Sequence, residues 1–331
     1  MVDWRQNVYN RTLKPGQPRV KIWNSAGLLL TYRCRAACSF CYYSCGPDKD
    51  GLMPVEMAIG VWRSLRDLAG QKPKIHLTGG EPFLYWDRLI EIIRAADTEG
   101  LGPVDMVETN GSWATSAEIA AERLRMLDAL AVRTLKISCD PFHQAFVPIE
   151  QVRTLARIAT QILGPDRVQV RWTRYLQSPL TSDMAGYIQC IREYPCRFAG
   201  RAAGGLARAV ADKHLDQLQG QNCLGYLLGT KGVHVDPYGN VFIGQCSGII
   251  LGNLKERPLE EIWSGFDPIK ASLIRVLAID GPIGLMGLPE ASGYEPLPLY
   301  ADKCHLCTDL RRYLVARSAY PQVLGPVECY Q

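Results

Sequence analysis

Cys34, Cys38 and Cys41 stand at CX3CX2C spacing within eight residues. Thiolates that close can reach three irons of a single cubane, and soft sulfur ligands suit an iron–sulfur cluster or zinc. A closed zinc site or an ordinary electron-transfer cluster takes four protein ligands, so the trio leaves one metal position open to an outside ligand unless Cys45 completes the set. Further on, Cys223, Cys246 and the CX2C pair Cys304 and Cys307 have 22, 57 and 2 residues between successive members. A CX2C pair with two distant thiols is a common way to close a four-sulfur site, for a second cluster or for zinc. Seven of the 12 cysteines are thereby given a metal role. Among the other five, Cys45 and Cys196 fall near strand ends. Cys139 is expected to face the outer helices, Cys190 to pack inside a helix, and Cys329 to sit in a frayed tail or to replace Cys223 as a ligand. His305, between the paired cysteines, is expected to be exposed.

The elements that must hold these residues alternate in type. Strand patterns at residues 28–32, 74–78, 104–108, 134–138 and 168–173 are each followed by an amphipathic helical pattern, at 54–68, 86–96, 116–130, 149–163 and 182–194. A sixth strand is marked near Cys196 to Gly200. Repeating β/α units with short loops make a parallel sheet, doubly wound or curved into a barrel or part-barrel, with working residues on the loops after strand C-terminal ends. The polar clusters follow that rule. Arg174, placed at the end of the fifth strand, has the bidentate fork that suits a carboxylate. His143 lies on the loop after the fourth, where it can accept a proton or donate to a substrate. Near residue 215 the alternation gives way to a β-hairpin signal in GVHVDPYGNVFIG. The division is therefore an extension at 1–24, the β/α region at 25–214 and a smaller unit at 215–331.

With 47% hydrophobic and 21% charged residues, the chain has material for a substantial core, and its formal charge of +4 does not call for nucleic acid as a partner. The first residues carry charges and prolines where a signal peptide needs an apolar run, and no stretch approaches the length of a membrane span. The expected setting is a reducing cytoplasm without membrane attachment, in which thiols serve metal or redox chemistry.

The cysteine trio, with Phe40 just before its last member, resembles the signature of the radical S-adenosylmethionine (radical SAM) superfamily. Three further motifs occur in the family's order, each at a strand's end. Thr78-Gly79-Gly80-Glu81-Pro82 looks like the glycine-rich motif for the methionine amino group. Glu108-Thr109-Asn110-Gly111 and Ser138-Cys139-Asp140 match positions that contact the ribose or methionine end of SAM. The resemblance implies a partial (β/α)6 TIM-like barrel of α/β class, with a smaller C-terminal α+β domain carrying the hairpin. It also implies a [4Fe–4S] cluster whose open iron binds SAM, and reductive cleavage of SAM to a 5′-deoxyadenosyl radical that abstracts hydrogen from an unreactive carbon. Phe40, Gly79, Gly80, Glu81, Pro82, Asn110, Ser138, Asp140 and Arg174 would line the cofactor, and His143, Cys45 and Cys196 are the candidate catalytic groups. The late region is similar to SPASM and twitch extensions, which carry auxiliary [4Fe–4S] clusters; four cysteines fit the one-cluster twitch form.

A one-electron donor such as flavodoxin or ferredoxin is the implied protein partner. Two substrates fit: a small polar metabolite that undergoes net oxidation with the second cluster accepting an electron, or a ribosomally made peptide that is crosslinked, oxidised or epimerised. Only about 25 residues precede the first strand, too few for a leader-binding module, and this favours the metabolite. A non-enzymatic iron–sulfur or zinc protein is the reading from another class, and it leaves Gly79-Gly80-Glu81-Pro82 without a purpose.

Overall fold

The computed structural model describes residues 2–70, 73–244, 246–270 and 272–331. Its first part is a run of β/α units: β1 (Ser25–Leu29), α1 (Val55–Ala69), β2 (Lys74–Thr78), α2 (Trp86–Thr98), β3 (Met106–Thr109), α3 (Ala117–Ala129), β4 (Leu135–Ser138), a short α4 (Pro141–Gln144), α5 (Ile149–Leu163), β5 (Val168–Arg171), a short α6 (Arg174–Gln177) and α7 (Met184–Glu193). Helices α8 (Gly205–Ala209) and α9 (Leu224–Gly229) lead to β6 (Gly232–Val235), β7 (Asn240–Ile243) and β8 (Ile250–Asn253). Then come α10 (Leu259–Gly265), α11 (Ser272–Ile279), α12 (Gly281–Gly284) and α13 (Lys303–Ala316).

The strands form one open sheet in the order β5-β4-β3-β2-β1-β6-β7-β8. From β5 to β6 every pairing is parallel, and β7 and β8 are antiparallel additions at the edge. Alternation along each strand separates two faces. Ile75 and Leu77 of β2 and Leu135 and Ile137 of β4 are buried against the helical layer. His76, Thr78, Lys136 and Ser138, at the intervening positions, face a cavity on the other side.

The sixth parallel strand is not where the sequence pattern puts it. Residues 195–199 are not a strand, and a 3-10 turn follows at Gly200–Ala203. The sixth place is taken by β6, the first arm of the expected hairpin, which pairs with β1 at the opposite edge of the β/α sheet. The late region therefore extends the same sheet. Three further expectations are corrected. The fifth strand ends at Arg171 rather than Thr173. His305 is fully buried, its Nδ1 accepting from the Ala301 amide at 3.2 Å. Cys329 is also buried, with its sulfur 3.7 Å from the Tyr32 hydroxyl.

Candidate active site

Cys34, Cys38 and Cys41 lie on the loop leaving β1 and form one wall of a cavity of about 440 Å³. The loop is held from outside by a single guanidinium: Arg201 donates to the carbonyls of Cys38 (3.0 Å), Ser44 (2.8 Å) and Cys45 (2.8 Å). The Ser247 hydroxyl donates to the Tyr42 carbonyl at 2.6 Å. Two donors reach the Cys34 sulfur, the Ala36 amide and the Asn110 side-chain amide, both at 3.4 Å. Burial pushes the Cys34 thiol up to about 12, while a hydrogen bond from Cys45 draws Cys41 below the usual thiol range. A cluster that accepts these sulfurs must displace their protons.

The glycines of the second motif serve packing as well as access. A Cβ on Gly80 would lie 2.0 Å from the Arg33 carbonyl oxygen, and one on Gly79, at φ 123°, would lie 2.7 Å from that of Thr31. Only bare backbone passes here, and the Gly80 amide donates to the Thr31 carbonyl at 2.7 Å. Gly79 and Gly80 line the cavity, whereas Glu81 and Pro82 are buried behind it. Glu81 ties two motif loops together, accepting from the Thr109 hydroxyl (2.9 Å) and the amides of Asn110 (2.8 Å) and Phe83 (3.2 Å). Burial raises its carboxyl to about 7 against the pull of these bonds.

The floor holds groups that the sequence analysis did not single out. His76 of β2 and His234 of β6 flank Gly27 of β1 in register, with their Nε2 atoms 3.2 Å apart. A Cβ on Gly27 would lie 2.0 Å from His234 and 2.4 Å from His76, so the glycine makes room for both rings. His234 Nδ1 lies 2.8 Å from the Gly244 carbonyl and 2.5 Å from the Tyr43 hydroxyl. A carbonyl only accepts, so Nδ1 carries the proton. Burial lowers both histidines, His234 to about 4, and a neutral His234 then accepts at Nε2 from a His76 protonated at Nε2. Beside them Lys136 donates to Glu108 at 2.9 Å and Thr78 donates to it at 3.1 Å. Burial alone would raise Glu108, but the charges of Lys136 and His76 and these bonds bring it to about 2.

On the far wall Asp140 caps α4, accepting from the His143 amide at 3.0 Å and lying 2.8 Å from His143 Nδ1. Burial disfavours the imidazolium, but Asp140 outweighs it and raises His143 above its ordinary value. Phe40 packs on Phe142 at 4.8 Å and meets His143 edge-on at 5.2 Å. Phe40, Asn110, Ser138, Asp140 and His143 all line the cavity, as do Cys45, Cys196 and, against expectation, Cys190. Cys139 is buried on the helical side, accepting from Gln144 Nε2 at 3.3 Å. Arg174 does not line the cavity: with β5 ending earlier it starts α6, and it pairs with Glu193 at 3.1 Å on the surface. Arg171 takes its place in the lining, beside Trp172, which stacks on Tyr194 at 3.8 Å.

Residues 28–159 match the family model described as the radical SAM superfamily. The chain carries a radical SAM domain. A curated relative, "Putative peptide biosynthesis protein YydG" of Bacillus subtilis (strain 168), is 28% identical over 135 residues, 38% of this chain and 39% of that protein. The chain thus matches well under half the length of this relative. Among solved structures, BtrN in complex with AdoMet and 2-DOIA aligns with a TM-score of 0.49 at 17% identity, covering 80% of this chain and 90% of that one. Native anSMEcpe with bound AdoMet and Cp18Cys peptide aligns with a TM-score of 0.43 at 14% identity, covering 88% and 97%.

Outside the radical SAM domain, Cys223, Cys246, Cys304 and Cys307 come from three places in the sequence to line one small cavity of about 40 Å³. Cys223 is the N-cap of α9, Cys246 follows β7, and the CX2C pair opens α13. Their neighbours are Ile243, Ile249, Ile274 and Leu277, with Arg197 and Arg311. Arg197 donates to the Cys246 sulfur at 3.4 Å and lies over the Tyr226 ring at 4.4 Å. Arg311, 2% exposed, donates to the carbonyls of Cys307 (3.3 Å) and Ser247 (2.8 Å). Neither arginine has a carboxylate partner among the described residues. Two largely buried cations beside four thiols suit an anionic centre. Among the described residues no three His, Cys, Asp or Glu groups converge tightly enough to hold a single metal ion. No helix of the described residues is long and apolar enough to cross a membrane.

Proposed function

We propose that this protein is a radical SAM enzyme that abstracts hydrogen from a carbon of a ribosomally made peptide. The observation that carries the chemistry is a single cavity in which the Cys34–Cys38–Cys41 wall meets Gly79, Gly80, Asn110, Ser138 and Asp140. A [4Fe–4S] cluster on the trio, with SAM on its open iron, would supply a 5′-deoxyadenosyl radical when bound. Backbone at Gly79-Gly80 offers carbonyls to an ammonium, and Asn110 steadies the Cys34 sulfur. Asp140 orients His143 through Nδ1, leaving Nε2 to hold or move a proton. Support for a peptide substrate is the similarity to a peptide biosynthesis protein over part of the chain.

Of the cavity thiols outside the trio, Cys196 is half-buried where Cys45 and Cys190 are buried, and burial pushes it up to about 12 and keeps it as S–H, which suits the return of a hydrogen atom. Its S–H bond would break as a C–H bond forms at the substrate radical. The thiyl left behind is restored by one proton and one electron from a low-potential flavodoxin or ferredoxin. Cys223, Cys246, Cys304 and Cys307 fit an auxiliary [4Fe–4S] cluster. A second reading, oxidation of a small polar metabolite, is favoured by the charged floor of Lys136, Glu108 and Arg171.

The test is anaerobic reconstitution, reduction and SAM addition, with candidate peptides in D2O. The peptide reading expects 5′-deoxyadenosine together with one deuterium fixed in the peptide, and loss of that deuterium in Cys196→Ala. SAM cleavage with no change in any peptide, beside a metabolite that loses two hydrogens, would decide for the second reading. No SAM cleavage by a fully loaded protein removes both.

A further inference from the structure

A groove of about 280 Å³ on the outer side of the cysteine loop is lined by Arg33, Cys34, Arg35, Pro47, Leu84 and Tyr85. Cys34 is also part of the 440 Å³ cavity, so one buried thiol is shared by two hollows whose other lining residues differ. Arg33 and Arg35 are exposed on either side of it. Among the described residues the Arg33 guanidinium has no partner, and Arg35 makes one long contact, 3.5 Å to the Ser112 carbonyl. Pro47 is exposed and Leu84 and Tyr85 are half-buried, which gives the groove apolar walls and a basic rim. Arginines beside apolar surface are the composition of a protein interface, and two uncompensated guanidinium groups select an acidic partner.

We propose that this groove is the docking site for the electron donor, a small acidic protein carrying flavin or an iron–sulfur centre. The inference rests on the cluster assignment under Proposed function and adds where its electron enters. Tunnelling weakens steeply with distance, and Cys34 is the member of the trio that lines this groove. One electron leaves the donor's reduced flavin, which becomes the semiquinone, and enters the oxidised cluster. Substrate enters the larger cavity, so donor and substrate need not compete for one mouth.

Wild type, the double variant Arg33→Glu/Arg35→Glu and a control, Arg157→Glu on the exposed face of α5, are reconstituted. Calorimetry measures the Kd for an oxidised flavodoxin, and stopped-flow absorbance follows cluster bleaching by flavodoxin hydroquinone or by photoreduced 5-deazariboflavin, a small uncharged reductant. The double variant is expected to bind flavodoxin at least about tenfold more weakly and to be reduced by it at least about tenfold more slowly, the size of a steering effect. Deazaflavin reduction stays at the wild-type rate, and the control matches wild type throughout. Added salt slows flavodoxin reduction of wild type more than that of the variant. A flavodoxin Kd and rate within twofold of wild type overturn the proposal. So does equal slowing with both reductants, which would make the arginines part of the cluster's support. A double variant that keeps flavodoxin reduction but loses peptide binding would give the groove to an acidic peptide. A wild type that assembles no cluster on Cys34, Cys38 and Cys41 fails the earlier reading, visibly before any donor is added.

Discussion

Around Cys34, Cys38 and Cys41 the cavity wall holds a lysine–glutamate pair, a pair of facing histidines and an aspartate that favours the charged form of a third. Around Cys223, Cys246, Cys304 and Cys307 it holds isoleucine, leucine and two arginines with no carboxylate partner among the described residues. One set of thiols faces a roomy polar chamber and the other closes a small apolar one. The same thiol groups are thus given different surroundings: the first set has room for polar molecules beside the sulfurs, and the second has little room beyond them and two cations to balance negative charge.

The strongest way to break that contrast is to remove one set of ligands. The Cys34/Cys38/Cys41 triple Ala variant is expected to lose about half the iron of the loaded protein and all 5′-deoxyadenosine formation. Iron and sulfide counting and chromatography check it; loss of all the iron would mean there is no second cluster. In the converse experiment, Cys246→Ser loses the other half of the iron while SAM cleavage persists, and abolished cleavage would show that the sites are not separable. Third comes the charge balance of the small cavity. Arg311→Met removes a buried cation with four polar contacts and is expected to lower the stability of the loaded protein by about 3 kcal/mol in denaturant unfolding. An unchanged midpoint would deny it that role.

Two smaller effects belong to the polar chamber. Gly27→Ala pushes a methyl into both histidine rings and is expected to cost about 2 kcal/mol, with partial recovery in Gly27→Ala/His76→Ala. His143 sets the sign of a pH effect. Its folded pKa is raised above 6.5, so the Asp140–His143 contribution is fully present below pH 6.5 and fades as pH rises through the folded value. His143→Asn should flatten that decline in urea unfolding of the metal-free protein, and an identical profile would show that the pair does not couple to folding.

How much of this was legible in the sequence depended on spacing. β2 and α5 fall where the apolar pattern puts them, and the trio is visible because its members are adjacent. Cys223, Cys246, Cys304 and Cys307 could be grouped from the CX2C pair and the count, and the fold brings them to one cavity. Arg174 was exchanged for Arg171 because two residues decide whether a side chain ends a strand facing inward or begins the next turn. His76 and Lys136 carried a signal that was passed over. Strands inside a parallel sheet are usually apolar on both faces, so the alternation in Lys74-Ile75-His76-Leu77-Thr78 and Leu135-Lys136-Ile137-Ser138 already described a polar chamber. Burial of His305 and Cys329 had no local signal, since it comes from tertiary contacts that only the folded chain supplies.

The bonds that shape the cysteine loop come from far along the chain. Arg201 reaches the carbonyls of Cys38, Ser44 and Cys45 across 156 to 163 residues of sequence, and Ser247 reaches Tyr42 across 205. During synthesis the trio therefore emerges long before the groups that fix its conformation exist. The loop reaches its final form only after residue 247 has been made, so the geometry of the first cysteines to leave the ribosome depends on the later part of the chain.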